Sequence, residues 1–144
     1  MEPVNLWNKA LDLLSRREHS VSELRTKLKK FSEDSTELEN IIKRLKESKF
    51  LDDKKFSESF VISKSRSGYG PHYIEQYLRK KGVNVCDFDM YSYDIDWAAI
   101  CNKLYIQKSK GKKLNQKEKE KILRFLAYRG FSYEIIKNVP KDIE

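Results

Sequence analysis

Basic side chains recur at three places in this 144-residue sequence, each at the end of a run of residues with helical periodicity. Arg16 and Arg17 lie at the end of the first run, and Lys64 and Arg66 lie at the end of another near the middle of the chain. The largest group lies at the end of the run that begins at Trp97, and it consists of Lys108, Lys110, Lys112 and Lys113. Lysine and arginine bind the phosphates of nucleic acids and the carboxylates of acidic proteins. If the helical units stack in series, these three groups line up along one edge, so they predict a basic surface for an acidic partner.

Further cations lie at or near the C-terminal ends of two predicted helices. They are Arg79, Lys80 and Lys81 in the centre of the chain and Arg129 nearer its end. A cation at a helix C-terminus also offsets the partial negative charge there and helps to keep a protein in solution. From the residues alone, helix capping and solubility thus remain the alternative to binding.

No arrangement of residues typical of catalysis or metal binding accompanies these cations. Asp52 and Asp53 have no third ligand nearby, so we interpret them as the start of a helix. His19 and His72 lie next to helix starts on polar ground, where we expect both to face solvent. A phosphate-binding loop of the GxxxxGK type is absent from the sequence. We therefore expect a protein that is not an enzyme and has no metal or cofactor.

Composition favours a helical, basic protein of the cytoplasm. The net charge is +8, and residues 97–144 carry most of it, with 12 Lys and Arg against 5 Asp and Glu. Five glycines and three prolines leave few sites for tight β-turns. Cys86 and Cys101 form no CxxC pair, so we expect reduced thiols. No apolar run reaches the roughly 18 residues of a membrane span, and the first residues do not resemble a signal peptide.

The apolar periodicity divides the chain into about nine short helical segments. Three of them begin with a predicted capping box, at Ser20, Thr36 and Asn115. The stretch GYGPHYIEQYLRKKGV (68–83) predicts a helix that begins after Gly70, with proline in its first position, and stops at Gly82.

The middle helices of the three thirds share one pattern, in which an aliphatic residue precedes a leucine by four positions and basic residues follow. The aligned leucines are Leu28, Leu78 and Leu126. A repeat of about 50 residues with three helices per unit is typical of helical repeat proteins. We therefore predict an all-α chain of three tandem three-helix repeats in one continuous domain, at residues 1–51, 52–94 and 95–144. An irregular helical bundle is the alternative.

Tyrosines accompany the basic residues, and this combination is also typical of single-strand binding proteins. They are Tyr69, Tyr73, Tyr77 and Tyr128. Packing between helices is the interpretation that we favour for all four. Near the end of the chain, we expect Gly130 to end a helix, Phe131 to enter the core and Ser132 to cap the next helix.

Three blocks of the sequence resemble the signature blocks of the RecX family, which regulates the RecA recombinase of bacteria. The blocks are LLSRREHSVSELRTKL (13–28), FLDDKKFSESFVISKSRSGYGPHYIEQYLRKKGV (50–83) and FLAYRGFSYEIIKNV (125–139). The resemblance implies an elongated, curved array of three-helix repeats. It also implies binding in the groove of the RecA–DNA filament, with restraint of ATP hydrolysis, strand exchange and the co-protease role in the SOS response.

Three functions follow from these observations. The favoured one is a non-enzymatic, monomeric modulator that contacts the RecA filament and its single- or double-stranded DNA through the basic residues named above. A stand-alone nucleic-acid-binding protein that contacts backbone and not bases is the alternative, and a steep salt dependence would favour it. The third is a protein–protein scaffold whose lysines serve solubility alone.

Overall fold

The computed structural model describes residues 5–84, 90 and 93–139, and within them the chain forms eight α-helices and no strand. In order they are α1 (Leu6–Arg16), α2 (Val21–Leu28), α3 (Ser35–Glu47), α4 (Asp53–Arg66), α5 (Pro71–Lys80), α6 (Trp97–Ser109), α7 (Gln116–Tyr128) and α8 (Tyr133–Ile136). The prediction of an all-α chain is confirmed. One of the nine predicted segments extends from Val85 to Tyr93, and most of it, with Cys86, lies outside the described residues.

The helices belong to two compact units. Unit 1 comprises the described residues of Met1–Ser59 and Leu78–Asn84, and unit 2 comprises those of Phe60–Tyr77 and Val85–Glu144. The boundaries of the units therefore fall inside α4 and α5. The predicted repeats 1–51, 52–94 and 95–144 divide the chain differently, and these boundaries stay a prediction.

Each unit buries the apolar positions that the periodicity marks. Unit 1 encloses a core from α1, α2, α3 and the loop after α3, whose members are Leu6, Ala10, Leu24, Leu28, Leu38, Ile41, Ile42, Leu45 and Leu51. In unit 2 the buried side chains include Val61, Ile74, Trp97, Cys101, Leu126 and Phe131. Leu28, Leu78 and Leu126, the aligned leucines, are all fully buried. The predicted entry of Phe131 into the core is likewise confirmed.

The predicted helix starts are partly right. At α7 the capping box is complete: the Glu118 amide donates to Asn115 Oδ1 at 2.8 Å, and the Asn115 amide donates to Glu118 Oε1. At α2 the Ser20 hydroxyl accepts from the Glu23 amide, but the Glu23 carboxylate does not reach back, because Arg17 and Lys81 bind it.

The predicted cap at Thr36 is wrong. The N-cap of α3 is Asp34, two residues before Thr36, and the helix begins at Ser35. Asp34 Oδ1 accepts from the amides of both Thr36 and Glu37, at 3.0 and 3.1 Å. A carboxylate that satisfies two helix amides is a stronger cap than a single threonine hydroxyl, so the helix starts at the aspartate.

One contact between helix ends occurs in both units. In unit 2, the Gly70 amide at the start of α5 donates to the Arg129 carbonyl just beyond α7, at 2.8 Å, and the His72 amide donates to Gly130. In unit 1, the Ser20 hydroxyl at the start of α2 donates to the Lys81 carbonyl just beyond α5, at 2.6 Å. Gly82 and Gly130 follow these carbonyls with φ of 79° and 100°, where glycine is favoured.

Candidate anion-binding interface

Three of the predicted cations lie over two aromatic rings in unit 2. Lys64 Nζ is 5.4 Å from the centroid of Tyr69, and Arg129 Cζ lies 4.5 Å from the same ring. Arg129 also lies 5.1 Å from the centroid of Phe125, which Lys108 Nζ approaches to 4.5 Å. The five residues thus alternate as cation, ring, cation, ring and cation, and we name them the cation–ring cluster.

The ends of three helices bring this cluster together. Lys64 and Lys108 lie in the last turns of α4 and α6, and Arg129 caps the end of α7. Two backbone hydrogen bonds fix Tyr69 and its neighbour: the Tyr69 amide donates to the Lys64 carbonyl, and the Gly70 amide donates to the Arg129 carbonyl. Arg129 Nη1 donates in turn to the Ser67 carbonyl at 3.4 Å. The geometry therefore follows from main-chain contacts as well as from the side chains.

The tyrosines near the cluster are packed, as predicted. Tyr69 stacks on Tyr73 with 4.2 Å between ring centroids, Tyr73 lies against Tyr77, and Tyr77 stacks on Phe60 at 4.6 Å. Tyr128 differs: 84% of its surface is exposed, so the packing interpretation is wrong for this residue.

The cluster carries three positive charges without a neutralising carboxylate. Within the described ranges, no ion pair involves Lys64, Lys108 or Arg129. The aromatic faces attract the cations through the ring quadrupole but carry no net charge. An anion such as a phosphate or a carboxylate can therefore still bind them, and no feature of the cluster selects a base sequence.

A second group of cations lies around one carboxylate in unit 1. Arg17 Nη2 approaches Glu23 Oε2 to 2.8 Å, and Lys81 Nζ approaches the same oxygen to 3.0 Å. Burial alone would raise the pKa of Glu23, but the hydrogen bonds and charges of Arg17 and Lys81 outweigh it and lower the pKa to about 2. Glu23 is therefore ionised at neutral pH and holds the two cations in place.

His19 belongs to this group, and the prediction that it faces solvent is wrong. Only 3% of its surface is exposed. Its Nδ1 lies 2.9 Å from the Arg17 carbonyl and its Nε2 lies 2.9 Å from Lys27 Nζ. A carbonyl accepts and an ammonium donates, so the ring is neutral, with its proton on Nδ1. Burial lowers the pKa of His19, as do the charges of Lys27 and Arg17. His72 is exposed, as expected.

The other predicted cations are on the surface. Arg16 pairs with Asp12 at 3.1 Å across one turn of α1. The remaining members are exposed: Arg66, Arg79, Lys80, Lys110, Lys112 and Lys113. The structure thus brings Lys64, Lys108 and Arg129 together in unit 2, and it joins Arg17 and Lys81 in unit 1. A common basic edge formed by all of them stays a prediction.

The sequence contains one local indication of this cluster. Phe125 and Arg129 are four residues apart at the end of a predicted helix, a spacing that places two side chains on the same face. The rest depends on contacts between distant segments. The sequence predicts only a capping role for Glu23, in the box at Ser20, and it does not indicate that cations lie over Tyr69 and Phe125.

The described residues contain no group of three or more His, Cys, Asp or Glu side chains that could hold a metal ion. Asp52 caps α4, since its Oδ1 accepts from the Lys54 amide at 2.9 Å, whereas Asp53 accepts from the Val21 amide at the start of α2.

Burial raises the pKa of Cys101 to about 11, so its thiol is protonated. Among the described helices, none is long and apolar enough to cross a membrane.

The chain matches one protein family along most of its length. Residues 7–45, 52–85 and 96–139 match, in that order, the first, second and third three-helix domains of RecX. The regulatory protein RecX of Pseudomonas entomophila is 36% identical over 137 residues, which cover 93% of this chain and 88% of that protein. The regulatory protein RecX of Cronobacter sakazakii is 33% identical over 153 residues, covering 96% and 92%.

Solved structures show the same fold. The crystal structure of RecX from Lactobacillus salivarius superimposes with a TM-score of 0.84 at 24% identity, covering 96% of this chain and 94% of that one. Another crystal structure, of a regulatory protein RecX, has a TM-score of 0.80 at 24% identity and covers 93% of this chain and 69% of that one. Three-helix domains in series are therefore the architecture that this chain shares with them.

Proposed function

Because the chain belongs to the RecX family of regulatory proteins, we propose that it binds the RecA–DNA filament and restrains RecA. The restrained activities are ATP hydrolysis, strand exchange and the co-protease activity of the SOS response. The observation that carries the proposal is the match to all three RecX domains, which extends from residue 7 to residue 139. Its relatives carry the name of regulatory proteins, so the proposed role is binding without catalysis, by a monomer in the cytoplasm.

The cation–ring cluster gives this proposal a point of contact. A filament of protein on DNA presents phosphates at regular intervals, and three unneutralised cations on one surface are suited to bind them. Contacts to phosphate position a protein on any sequence, as a regulator of a sequence-independent recombinase requires. The exposed lysines beyond α6, Lys110, Lys112 and Lys113, extend the positive charge from Lys108 along the same segment.

The test is the ATPase activity of RecA on single-stranded DNA with increasing amounts of this protein. We expect hydrolysis to fall with dose. The double variant Lys64→Met/Lys108→Met removes two charges and keeps an unbranched apolar side chain over each ring. It should raise the concentration for half-inhibition by about tenfold, the loss of roughly one charge-assisted contact.

The matched control is Lys54→Met/Lys55→Met, which removes two exposed charges from the first turn of α4. This variant should inhibit like the wild type. If the wild-type protein leaves hydrolysis unchanged at saturating amounts, the proposed function is wrong. If both double variants inhibit equally well, the function stands but the cluster is not its contact.

A stand-alone nucleic-acid-binding protein is the second candidate, favoured by the 12 Lys and Arg against 5 Asp and Glu in residues 97–144. It predicts tight binding to naked DNA with a steep salt dependence, and no added affinity when RecA is present. Reversal of Lys108, Lys110, Lys112 and Lys113 to glutamate would weaken binding in both of these candidates. It would leave a scaffold whose lysines serve only solubility unaffected.

A further inference from the structure

Helix α7 presents a line of cations that the family match does not explain. Lys117, Lys121 and Arg124 are separated by four and three residues, and Tyr128 follows after four more. At 3.6 residues per turn these positions lie within a sector of about 60° and extend over about 16 Å. All four are exposed, and Leu126, close to the opposite side of the helix, is fully buried. We name these four residues the α7 ridge.

Among the described residues, the two glutamates of α7 form no ion pair with the ridge cations. Glu118 lies three residues before Lys121, a spacing that permits an ion pair, yet its carboxylate accepts from the Asn115 amide in the capping box. Glu120 lies four residues before Arg124, yet it accepts from the Gln116 side chain at 3.1 Å. In the described part of the chain, no ion pair or side-chain hydrogen bond involves the three ridge cations.

In an exposed helix face that serves only solubility, opposite charges at these spacings would pair, whereas Glu118 and Glu120 accept from other groups. Exposed helices gain stability when opposite charges alternate at spacings of three and four, and like charges at these spacings oppose helix formation. In the ridge, Lys121 has a cation at each of these spacings, Lys117 before it and Arg124 after it. These like charges destabilise the helix. An extended anion that binds along the line would offset this cost.

Tyr128 extends the ridge with an unused aromatic ring. Tyr69, Tyr73 and Tyr77 stack on one another, whereas no ring or cation contact in the described ranges includes Tyr128, and 84% of its surface is exposed. An aromatic side chain at the end of a cationic line provides a face for an unpaired base, while the cations bind the backbone.

We infer that the α7 ridge binds single-stranded nucleic acid, with Lys117, Lys121 and Arg124 on successive phosphates and Tyr128 stacked on a base. The inference deepens the proposed function, because it names residues that contact the strand. Its test uses naked oligonucleotide without the recombinase, so its failure is distinguishable from a failure of the proposed function. Stacking requires an unpaired base, so the ridge prefers a single strand to a duplex.

The experiment measures fluorescence anisotropy of a labelled oligothymidine, and of a blunt duplex, over a range of salt concentrations. In the triple variant Lys117→Gln/Lys121→Gln/Arg124→Gln, the log–log salt slope for the single strand should fall in magnitude by about two, since each lost phosphate contact removes about 0.7. Tyr128→Ala should weaken binding of the single strand by about fivefold or more and leave duplex binding within about twofold, whereas Tyr128→Phe should bind normally.

The controls match each change. Lys43→Gln/Lys54→Gln/Lys55→Gln removes three exposed cations from α3 and α4, and Tyr133→Ala removes an exposed tyrosine from α8. Both should bind as the wild type does. The charge-retaining variant Lys117→Arg/Lys121→Arg/Arg124→Lys should also bind normally, which separates loss of charge from loss of folding.

Two results would overturn the inference. One is a triple glutamine variant that binds oligothymidine as its matched control does. If that variant also loses affinity for the RecA filament, the ridge contacts protein instead. The other is a Tyr128→Ala variant that loses the same affinity for duplex and for single strand, or none for either.

Discussion

At the scale of single residues, Glu23 shows how one carboxylate organises a basic region. It binds Arg17 and Lys81, and 8% of its side chain is exposed. We expect Glu23→Gln to lower the free energy of unfolding at pH 7 by about 2 kcal/mol, because two charge-assisted hydrogen bonds are lost and two cations are left close together. Urea denaturation of the wild type and the variant measures this difference.

The contribution of Glu23 to the free energy of unfolding should depend on pH. The pKa of Glu23 falls from its ordinary value of 4.5 to about 2 in the folded protein. A lowered folded pKa means that the contribution of Glu23 is fully present above pH 4.5 and is lost as the pH falls towards 2. The stability difference between wild type and Glu23→Gln should therefore shrink over this window. A difference that stays constant down to pH 2 would contradict the assignment.

His19 shows where local sequence stops being informative. Its polar neighbours indicated an exposed side chain, yet the ring is buried between the Arg17 carbonyl and Lys27, eight residues further along. The start of α2 can be read from the sequence. The contact between His19, which precedes α2, and Lys27, near its end, cannot. The cation–ring cluster has the same origin, because Tyr69 meets Arg129 only through the contact between α5 and α7.

At the scale of elements, the ends of helices were the most predictable feature. Asn115 and Glu118 form the expected capping box, and α5 begins at Pro71 and is followed by Gly82 in the left-handed region. These signals are local, so the sequence carries them in full. The start of α3 differs from the prediction because Asp34 and Thr36, two residues apart, are both residue types that cap helices.

The contact between helix ends gives a prediction for Gly130. A Cβ at this position would overlap the backbone nitrogen of Tyr73 and lie 2.6 Å from its Cβ, and φ is 100°. We expect Gly130→Ala to lower the free energy of unfolding by at least about 3 kcal/mol, because backbone strain of about 1 kcal/mol adds to a steric clash in packed structure.

Gly111→Ala is the matched control. Gly111 also has a positive φ, of 70°, but a Cβ there would meet nothing within 4 Å. This variant should lose only the strain, about 1 kcal/mol. Equal losses in the two variants, measured by urea denaturation, would show that α7 does not pack against the start of α5 as described.

At the scale of the whole molecule, the repeat and the distribution of charge along the chain were predictable. The groups that each cation contacts were not. Helical periodicity and the spacing of Leu28, Leu78 and Leu126 indicated modules of three helices, and RecX domains match at three successive ranges. The basic residues all looked alike in sequence. The structure separates them into cations held by Glu23, cations over aromatic rings, and cations exposed to solvent.

The central claim of the proposed function is that this chain binds RecA assembled on DNA more tightly than it binds DNA alone. Co-sedimentation at physiological salt tests it most directly, with the protein added to RecA filaments on single-stranded DNA or to the same DNA without RecA. We expect saturable binding to the filament at concentrations at which naked DNA, with a dissociation constant of about 10⁻⁶ M or weaker, retains little protein. Equal retention on both, or none on the filament, would contradict the claim.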